Sequence, residues 1–542
     1  METHEVFNQS PILEDINLFE IDKPLQLMLK HSHADWGLAT VRDYGNMVGT
    51  RQMIENGRLA NKYTPVFESH NARGFRIDEV DFHPAYHELM TQGIKNSLHA
   101  LPWAEPQPGA HLVRLALFYL HAQNEAGTCC PITMTFSCMP AIQKYLPKAE
   151  EWIPQILSRD YDPSNKPYFE KRGLTIGMAM TEKQGGSDVR ANTTEARPVN
   201  KSGSGTLYQL TGHKWFCSAP MSDAFLTLAQ TAHGISCFLL PRWLPDGTKN
   251  HFRIQRLKDK LGNRSNASSE IEFDSAQAWL MGEEGRGVSV ILEMVALTRY
   301  DCMIGSSALM RRGLTEVLHH IQHRKTFGHF LVDQPLMQNV VADLCLESEA
   351  TLAMTYRTAL CLENSAKEEE KLLLRLLTPI GKYWTTKRSI PFLGEAMECL
   401  GGNGYVESGV LSRLYREAPV NAIWEGSGNV QCLDVIRAVT RSPAALDALI
   451  GELGSAKGNL STYDSFIEKL SSNHNQLSER QARHFVEQLA KAAQAAALIK
   501  SGRDHIAEAY CQSRLEENSA GWMFGNLPDS IDCKKIVEDH LF

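Results

Sequence analysis

Apolar residues recur at helical spacing through much of the first 157 positions. The clearest run is 111–126 (HLVRLALFYLHAQNEA), which follows a breaker-rich loop from Pro102 to Gly109. Between about 172 and 285 the pattern shortens. LTIGMAM, YQLTGHKWF, AFLTLAQ, SCFLLP and SEIEF are brief apolar stretches separated by Gly, Asn, Asp and Pro, which predicts strands and turns. The helical period returns near 286 and holds to about 440, through LHHIQHRKTFG and KLLLRLLTPIGKYWTTK. Arg441-Ser442-Pro443 then marks a boundary. Beyond it, 478–501 contains the Ala-rich segment AKAAQAAALIK, which has high helix propensity. The expected fold is α+β and multidomain. It has a helical domain over 1–157, a middle β domain over 158–285, a helical bundle over 286–442 and a helical extension over 443–542. No internal repeat or low-complexity tract breaks this order.

Composition adds limits rather than detail. The chain has 542 residues, 43% hydrophobic and 22% charged, the balance of a soluble globular protein. No apolar run approaches the ~18 residues that a membrane helix needs. The opening METHEVFNQS carries Glu2 and Glu5 and has neither a basic start nor an apolar core. It reads as no secretory or transit segment, and a cytoplasmic location is the expectation. The net charge of −8 argues against a whole-surface attraction to nucleic acid. Twelve cysteines occur without a CxxC pair or zinc spacing, and adjacent Cys129 and Cys130 read as packed thiols. No metal site is expected. The common dinucleotide, phosphate-loop, zinc-protease and nucleophile-elbow motifs are all missing, so a nucleotide cofactor needs another architecture.

Four clusters carry candidate chemistry. In 178–188 (MAMTEKQGGSD), glycines permit close backbone approach beside the hydroxyls of Thr181 and Ser187, which suits a polar ring or a phosphate. The ordinary alternative is a Gly-rich turn. In 212–218 (GHKWFCS), Trp215 and Phe216 are either core residues or the wall of a flat aromatic ligand. Arg324 opens RKTFG at the end of a helical run, either as a phosphate fork or as a solvated cap. The turn Gly401-Gly402-Asn403-Gly404 and the segment 423–429 (IWEGSGN) form the fourth cluster. Glu425 there lies between an aromatic and a flexible turn, where desolvation makes a carboxylate a better base. A helix N-terminal Glu is the plainer reading.

The words MTEKQGGSD, GHKWF, LKDKLGNRSNASSEIEF, LTR, RKTFG, GGNGY and IWEGSGN occur here in one order. Together they resemble the acyl-CoA dehydrogenase family over about 60–440. The resemblance implies FAD, a likeness in fold to the α–β–α order above, and a homotetramer. It places Met178, Met180, Thr181 and Ser187 on the flavin ring and pyrophosphate, and Trp215, Phe216 and Ser218 at the flavin wall. Arg324 and Phe327 would reach the FAD of a neighbouring subunit. Gly401, Gly402, Ile423, Trp424, Gly426, Ser427 and Asn429 would complete the cofactor site. Glu425 matches the base that takes the α-proton of an acyl thioester.

Lys183-Gln184, PRWLPDGTKN at 241–250, HAQNEAGTCCPITMTF, the word VFNQ and the extra hundred residues are similar to the AidB-type subgroup. Those are flavoproteins of the bacterial adaptive response to DNA alkylation. The subgroup implies double-stranded DNA binding, limitation of alkylation damage, and at most weak, isovaleryl-CoA-like dehydrogenase activity. The alternatives are a metabolic acyl-CoA dehydrogenase and an acyl-CoA carrier without fast turnover. Residues 443–542 hold ten Lys/Arg against fourteen Asp/Glu, a net of −4, whereas DNA binding draws on positive charge. The candidate contacts are a local stripe of Arg480, Arg483, Lys491 and Arg503 with nearby His484, and Arg437 is implied by the resemblance; composition alone favours the plainer reading, a salt-bridged exposed helix.

Overall fold

The computed structural model describes residues 3–30, 32–472, 478–516 and 523–542. Met1 and Glu2, part of the N-terminal segment weighed above, lie outside them. The chain forms two compact units, one of residues 1–51, 108–124 and 302–542, the other of 52–107 and 125–301. The N-terminal helical segment thus contributes to both. Among the described residues no helix is long and apolar enough to cross a membrane.

In the second unit, β1 (Val66–His70) and β2 (Arg76–Asp81) form an antiparallel hairpin inside the segment expected to be mainly helical. Only Val80 of its strand residues is buried, so it shows no apolar alternation by which spacing can reveal it. The remaining strands are β3 (Ile176–Ala179), β4 (Glu195–Pro198), β5 (Leu207–Ser218), β6 (Ala224–Thr231), β7 (Gly234–Pro241), β8 (Phe252–Leu257) and β9 (Ser268–Met281). They make one seven-stranded sheet in the order β3-β6-β4-β5-β9-β7, with β8 on β9, and β7 pairs back with β6 to close the curve. The five strand words of the sequence are β3, β5, β6, β7 and β9. β6 and β7 are buried along almost their whole length, as continuous apolar runs require. β5 instead mixes buried and exposed positions, so it can offer side chains to a ligand.

The first unit is helical. Its frame is Pro335–Glu363, Glu368–Cys399, Leu411–Asn421 and Gly428–Arg441, with Ala110–Asn124 against the first of these. Pro443 starts the next helix, Pro443–Gly454, at the boundary that the sequence marks; its ring fits a first helical turn. Helices Ala482–Lys500, Asp504–Arg514 and Cys533–His540 of the extension pack on Pro335–Glu363. They are locked there by three buried carboxylates of that helix. Asp343 pairs with Arg514 and accepts from the amide of Gly525 (2.9 Å). Glu347 reaches Arg514 at 3.6 Å besides its 2.9 Å pair with Arg388 of Glu368–Cys399, and Glu349 pairs with Arg503 (2.8 Å) and His540 (3.0 Å). The extension is built into this unit.

Candidate flavin and thioester site

In the β unit the first two sequence clusters meet. β3 runs into Met180 and Thr181, and the amide of Trp215 donates to the Thr181 carbonyl (2.8 Å). Asn192 Nδ2 donates to the Met180 carbonyl (2.9 Å). Beneath them lies a pair that sequence reasoning did not single out, although both members stand inside the quoted words. Lys214 Nζ donates to Glu182 Oε1 (2.7 Å) with both side chains inaccessible, and also to the Leu228 carbonyl (2.8 Å). Glu182 further accepts from the amides of Thr193 and Thr194. Burial works to raise the Glu182 pKa, but Lys214 and these donors hold it at about 2, while burial brings Lys214 down to about 8. The pair fixes the loop after β3 against β5.

Above it the surface is open. Residues 183–188 are exposed, Ser187 among them. A Cβ on Gly186 would come 2.5 Å from Thr181 Oγ1, so the loop folds over that hydroxyl only because 186 is glycine. Met178 is buried in β3, supporting Met180 and Thr181 from below. The two aromatics differ. Trp215 is capped by the Lys258 ammonium, 3.3 Å from its ring centroid, with Arg256 and Lys183 also over the ring. Phe216 is 50% exposed and shares its side of buried Cys217 with the half-buried Ser218, whose hydroxyl meets that of Ser268 at 3.0 Å. Phe216 is thus the ring that β5 presents.

In the helical unit, Arg324 ends the long Gly287–His323 helix and opens the hairpin β10 (Lys325–Thr326) and β11 (His329–Phe330). Phe327 at its tip has φ +52° and is 96% exposed, with Gly328 beside it at φ +84°. Asn8 of the VFNQ word binds this hairpin at three points. Its side chain exchanges two 2.8 Å hydrogen bonds with the Lys325 backbone, and its carbonyl accepts from Arg324 Nη1 (2.5 Å). Next to it Gln9 Oε1 accepts from Asn403 (3.4 Å), so one arm links the RKTFG hairpin to the Gly401–Gly404 turn. At Gly401 and Gly402 an added Cβ would meet nothing within 4 Å.

The 423–429 segment is tightly held. Ile423 is exposed, while Trp424, Glu425, Gly426 and Ser427 are half-buried. Glu425 has φ +59° and Gly426 φ +95°. Lys382 Nζ, fully buried in the Glu368–Cys399 helix, donates to the carbonyls of Trp424 and Gly426, each at 2.7 Å. Gln431 Nε2 donates to the carbonyls of Glu425 (3.0 Å) and Gly426 (2.9 Å). Trp424 Nε1 donates to Asn421, which in turn donates to Ser306. Ser427 stands just before the Gly428–Arg441 helix with no side-chain capping bond, and Asn429 Oδ1 accepts from Arg483 Nε (2.8 Å).

The residues present fit a flavin nucleotide. Each unit by itself brings its share together: an exposed phenyl plate, hydroxyls and a glycine loop in one, an arginine, open glycine turns and a half-buried carboxylate in the other. The proposed DNA cations are not one stripe. Arg437, Arg480 and Arg483 are exposed, but Lys491 pairs with Glu487 (2.8 Å) and Arg503 with buried Glu349, so those two are spent on internal ion pairs. Arg503 instead lines a cavity of about 830 Å³ between Pro24–Met28, Ala353–Leu360 and Lys500. That cavity shares no residue with the 423–429 segment, and its cations Arg357, Lys500 and Arg503 are all ion-paired.

Comparison with known proteins agrees with these features. The family model of the AidB adaptive response protein's N-terminal domain matches residues 8–163. Those of the acyl-CoA dehydrogenase middle and C-terminal domains match 177–276 and 285–440. The putative acyl-CoA dehydrogenase AidB of Escherichia coli K12 is 45% identical over 517 residues, 95% of either chain. Acyl-CoA dehydrogenase family member 11 of Caenorhabditis elegans is 29% identical over 488 residues, 86% of this chain and 76% of that one. The crystal structure of C. elegans ACDH-11 in complex with C11-CoA superposes with a TM-score of 0.86 at 26% identity, over 97% of this chain and 95% of that one. The chain belongs to the acyl-CoA dehydrogenase family, in the branch that carries an AidB-type N-terminal domain.

Proposed function

We propose that this protein is an FAD-dependent oxidoreductase that takes two hydrogens from the α and β carbons of an acyl-CoA thioester, slowly, with Glu425 as the base. FAD is the cofactor of its family. Bound FAD supplies the acceptor for the hydride that leaves the β-carbon. Phe216, Thr181, Ser187 and Ser218 are the candidate holders in the β unit; in the helical unit they are the 401–402 and 423–429 turns, with Arg324 and Phe327 reaching the FAD of a neighbouring subunit in a homotetramer. Glu425 takes the α-proton onto its carboxylate. The single observation that carries the reading is the fixed, half-buried placement of Glu425 on a left-handed backbone. The α-proton of a thioester is weakly acidic, so its removal needs a base held still in a site poor in water. The relative crystallised with C11-CoA, and the similarity to isovaleryl-CoA dehydrogenases, make medium-chain and branched acyl groups the classes to try first. Anaerobic bleaching of the flavin by isovaleryl-CoA, lost in Glu425→Gln, tests the reading; bleaching at the wild-type rate in that variant refutes it. An acyl-CoA that binds without bleaching would make the protein a carrier.

Duplex DNA binding that limits alkylation damage is a second reading. The exposure of Arg437, Arg480 and Arg483 favours it, and their charge is of the kind that phosphates recruit.

A further inference from the structure

Glu425 stands on a backbone conformation that side-chain-bearing residues seldom adopt, φ +59°, and such a residue keeps it only where its surroundings over-determine it. The determinants are named above. The carbonyl of residue 424 belongs to the peptide plane before Glu425, and the carbonyl of 425 to the plane after it. The first accepts from Lys382 and the second from Gln431, while the carbonyl of 426 accepts from both. With both flanking planes pinned, φ and ψ of Glu425 are set, and so is the direction of its Cα–Cβ bond. The partners are themselves rigid. Lys382 and Gln431 are both fully buried, each within a helix, and a Cβ on Gly426 would come 2.8 Å from Gln431 Nε2. An ammonium is costly to bury. Carbonyl partners at 2.7 Å are what offset that cost, so Lys382 and the loop stabilise one another.

We propose that Lys382 and Gln431 are positioning residues that aim the Glu425 carboxylate at the α-carbon of the thioester, acting on the rate of proton removal and not on the binding of acyl-CoA. The inference rests on the dehydrogenation reading above, and it concerns this chain's own loop rather than the flavin. Misplacing a reacting group by about 1 Å costs on the order of 100-fold in rate.

The test uses the FAD-loaded full chain and three variants, Lys382→Met, Lys382→Gln and Gln431→Leu, with Glu425→Gln alongside. Two things are measured: hydrogen–deuterium exchange over 421–431, and flavin reduction by isovaleryl-CoA across a concentration series. In Lys382→Met, exchange over 424–428 is expected to rise and the limiting reduction rate to fall on the order of 100-fold. In chains matched for FAD content, the half-saturating concentration of isovaleryl-CoA should change less than about threefold. Lys382→Gln keeps a donor one bond shorter and should recover part of the rate, and Gln431→Leu should show the same split. Unchanged exchange and rate in both Lys382→Met and Gln431→Leu overturn the proposal. So does a loss that falls on half-saturation alone. If the wild type is never bleached, the dehydrogenation reading fails by itself, and the exchange arm still decides whether Lys382 and Gln431 hold the loop.

Discussion

Glu349 is the point where the extension's hold on the helical unit is most open to test. Its carboxylate is buried and accepts from Arg503 on both oxygens, with His540 joining at Oε2. Burial pushes its pKa up, but His540 and Arg503 outweigh this and bring it from 4.5 to about 2. At ~1.4 kcal/mol per pH unit, that drop corresponds to ~3 kcal/mol of stability. The figure agrees with the ~3–5 kcal/mol lost when one member of a buried pair is removed. Because the folded pKa is depressed, the contribution is complete above 4.5 and is lost as pH falls through about 2. His540 moves the other way. Burial disfavours its charge, but Cys345 and Glu349 raise its pKa from 6.5 to about 10. Its share is complete below 6.5 and is lost as pH rises through 10. Both contributions are therefore whole between pH 4.5 and 6.5. Glu349→Gln keeps the shape and removes the charge. In that window it should cost ~3 kcal/mol, a fall in melting temperature on the order of 5 °C, read by thermal unfolding of the FAD-loaded protein. The acid limb of the wild-type pH profile should flatten in the variant. A change within about 0.5 kcal/mol, or parallel acid limbs, would refute the claim that the extension is clamped by this carboxylate.

Other outcomes follow from the candidate flavin residues of each unit. Thr181→Ala and Arg324→Ala should each purify with less FAD per chain, measured by absorbance after denaturation; full flavin content in both would sink the assignment. Asn8→Ala removes the two side-chain bonds to Lys325 and should weaken flavin retention in the same direction as Arg324→Ala, though less. Glu425→Gln should keep FAD and acyl-CoA binding, seen as a shift of the flavin spectrum, while reduction falls by at least ~10²-fold. A variant that loses binding and rate together would argue that Glu425 supports the loop instead of acting as the base.

The strands and the helix boundary at 442 were legible because they are local. Apolar runs bounded by turn residues became β3, β5, β6, β7 and β9, and Pro443 began a helix. The hairpin of β1 and β2 escaped because only Val80 of its strand residues is buried, which removes the alternation that reveals a strand. The division into two units escaped for a different reason: it joins segments hundreds of positions apart. At the site, Phe216 and Trp215 were equivalent on paper. Exposure separates them: Phe216 is 50% exposed, whereas Trp215 is half-buried with Lys258, Arg256 and Lys183 over its ring. Lys382 was hidden most completely. In KLLLRLLTPIGKYWTTK it looks like a solvated cation, since lysine is seldom buried, and nothing in spacing shows that the carbonyls of 424 and 426 wait opposite it.

The acidic extension poses the sharpest question about DNA, and the ion pairs decide how to ask it. Lys457, Lys491, Lys500, Arg503, Arg514 and Lys534 all pair with carboxylates, so most of the extension's positive charge is structural. Deleting 443–542 would strip Arg514, Arg503 and His540 from the helical unit and leave the buried carboxylates of Asp343 and Glu349 without these cations, while Glu347 keeps Arg388. Loss of DNA binding in such a truncation would then report damage to the helical unit as readily as a lost contact. Charge removal at the surface is the cleaner perturbation. Arg437, Arg480 and Arg483 are exposed, and of their side chains Arg483 makes a hydrogen bond to Asn429. Replacing all three with Gln should leave the melting temperature near wild type, and affinities are compared at equal FAD content because Arg483 holds Asn429 of the 423–429 turn. If these arginines meet phosphates, duplex affinity should fall, and the slope of log affinity against log salt should shrink by about 3, roughly one unit per arginine. An unchanged slope in the triple variant, with the wild type binding duplex, would place the contact elsewhere. A wild type that binds no duplex at low salt would remove DNA from the protein's function.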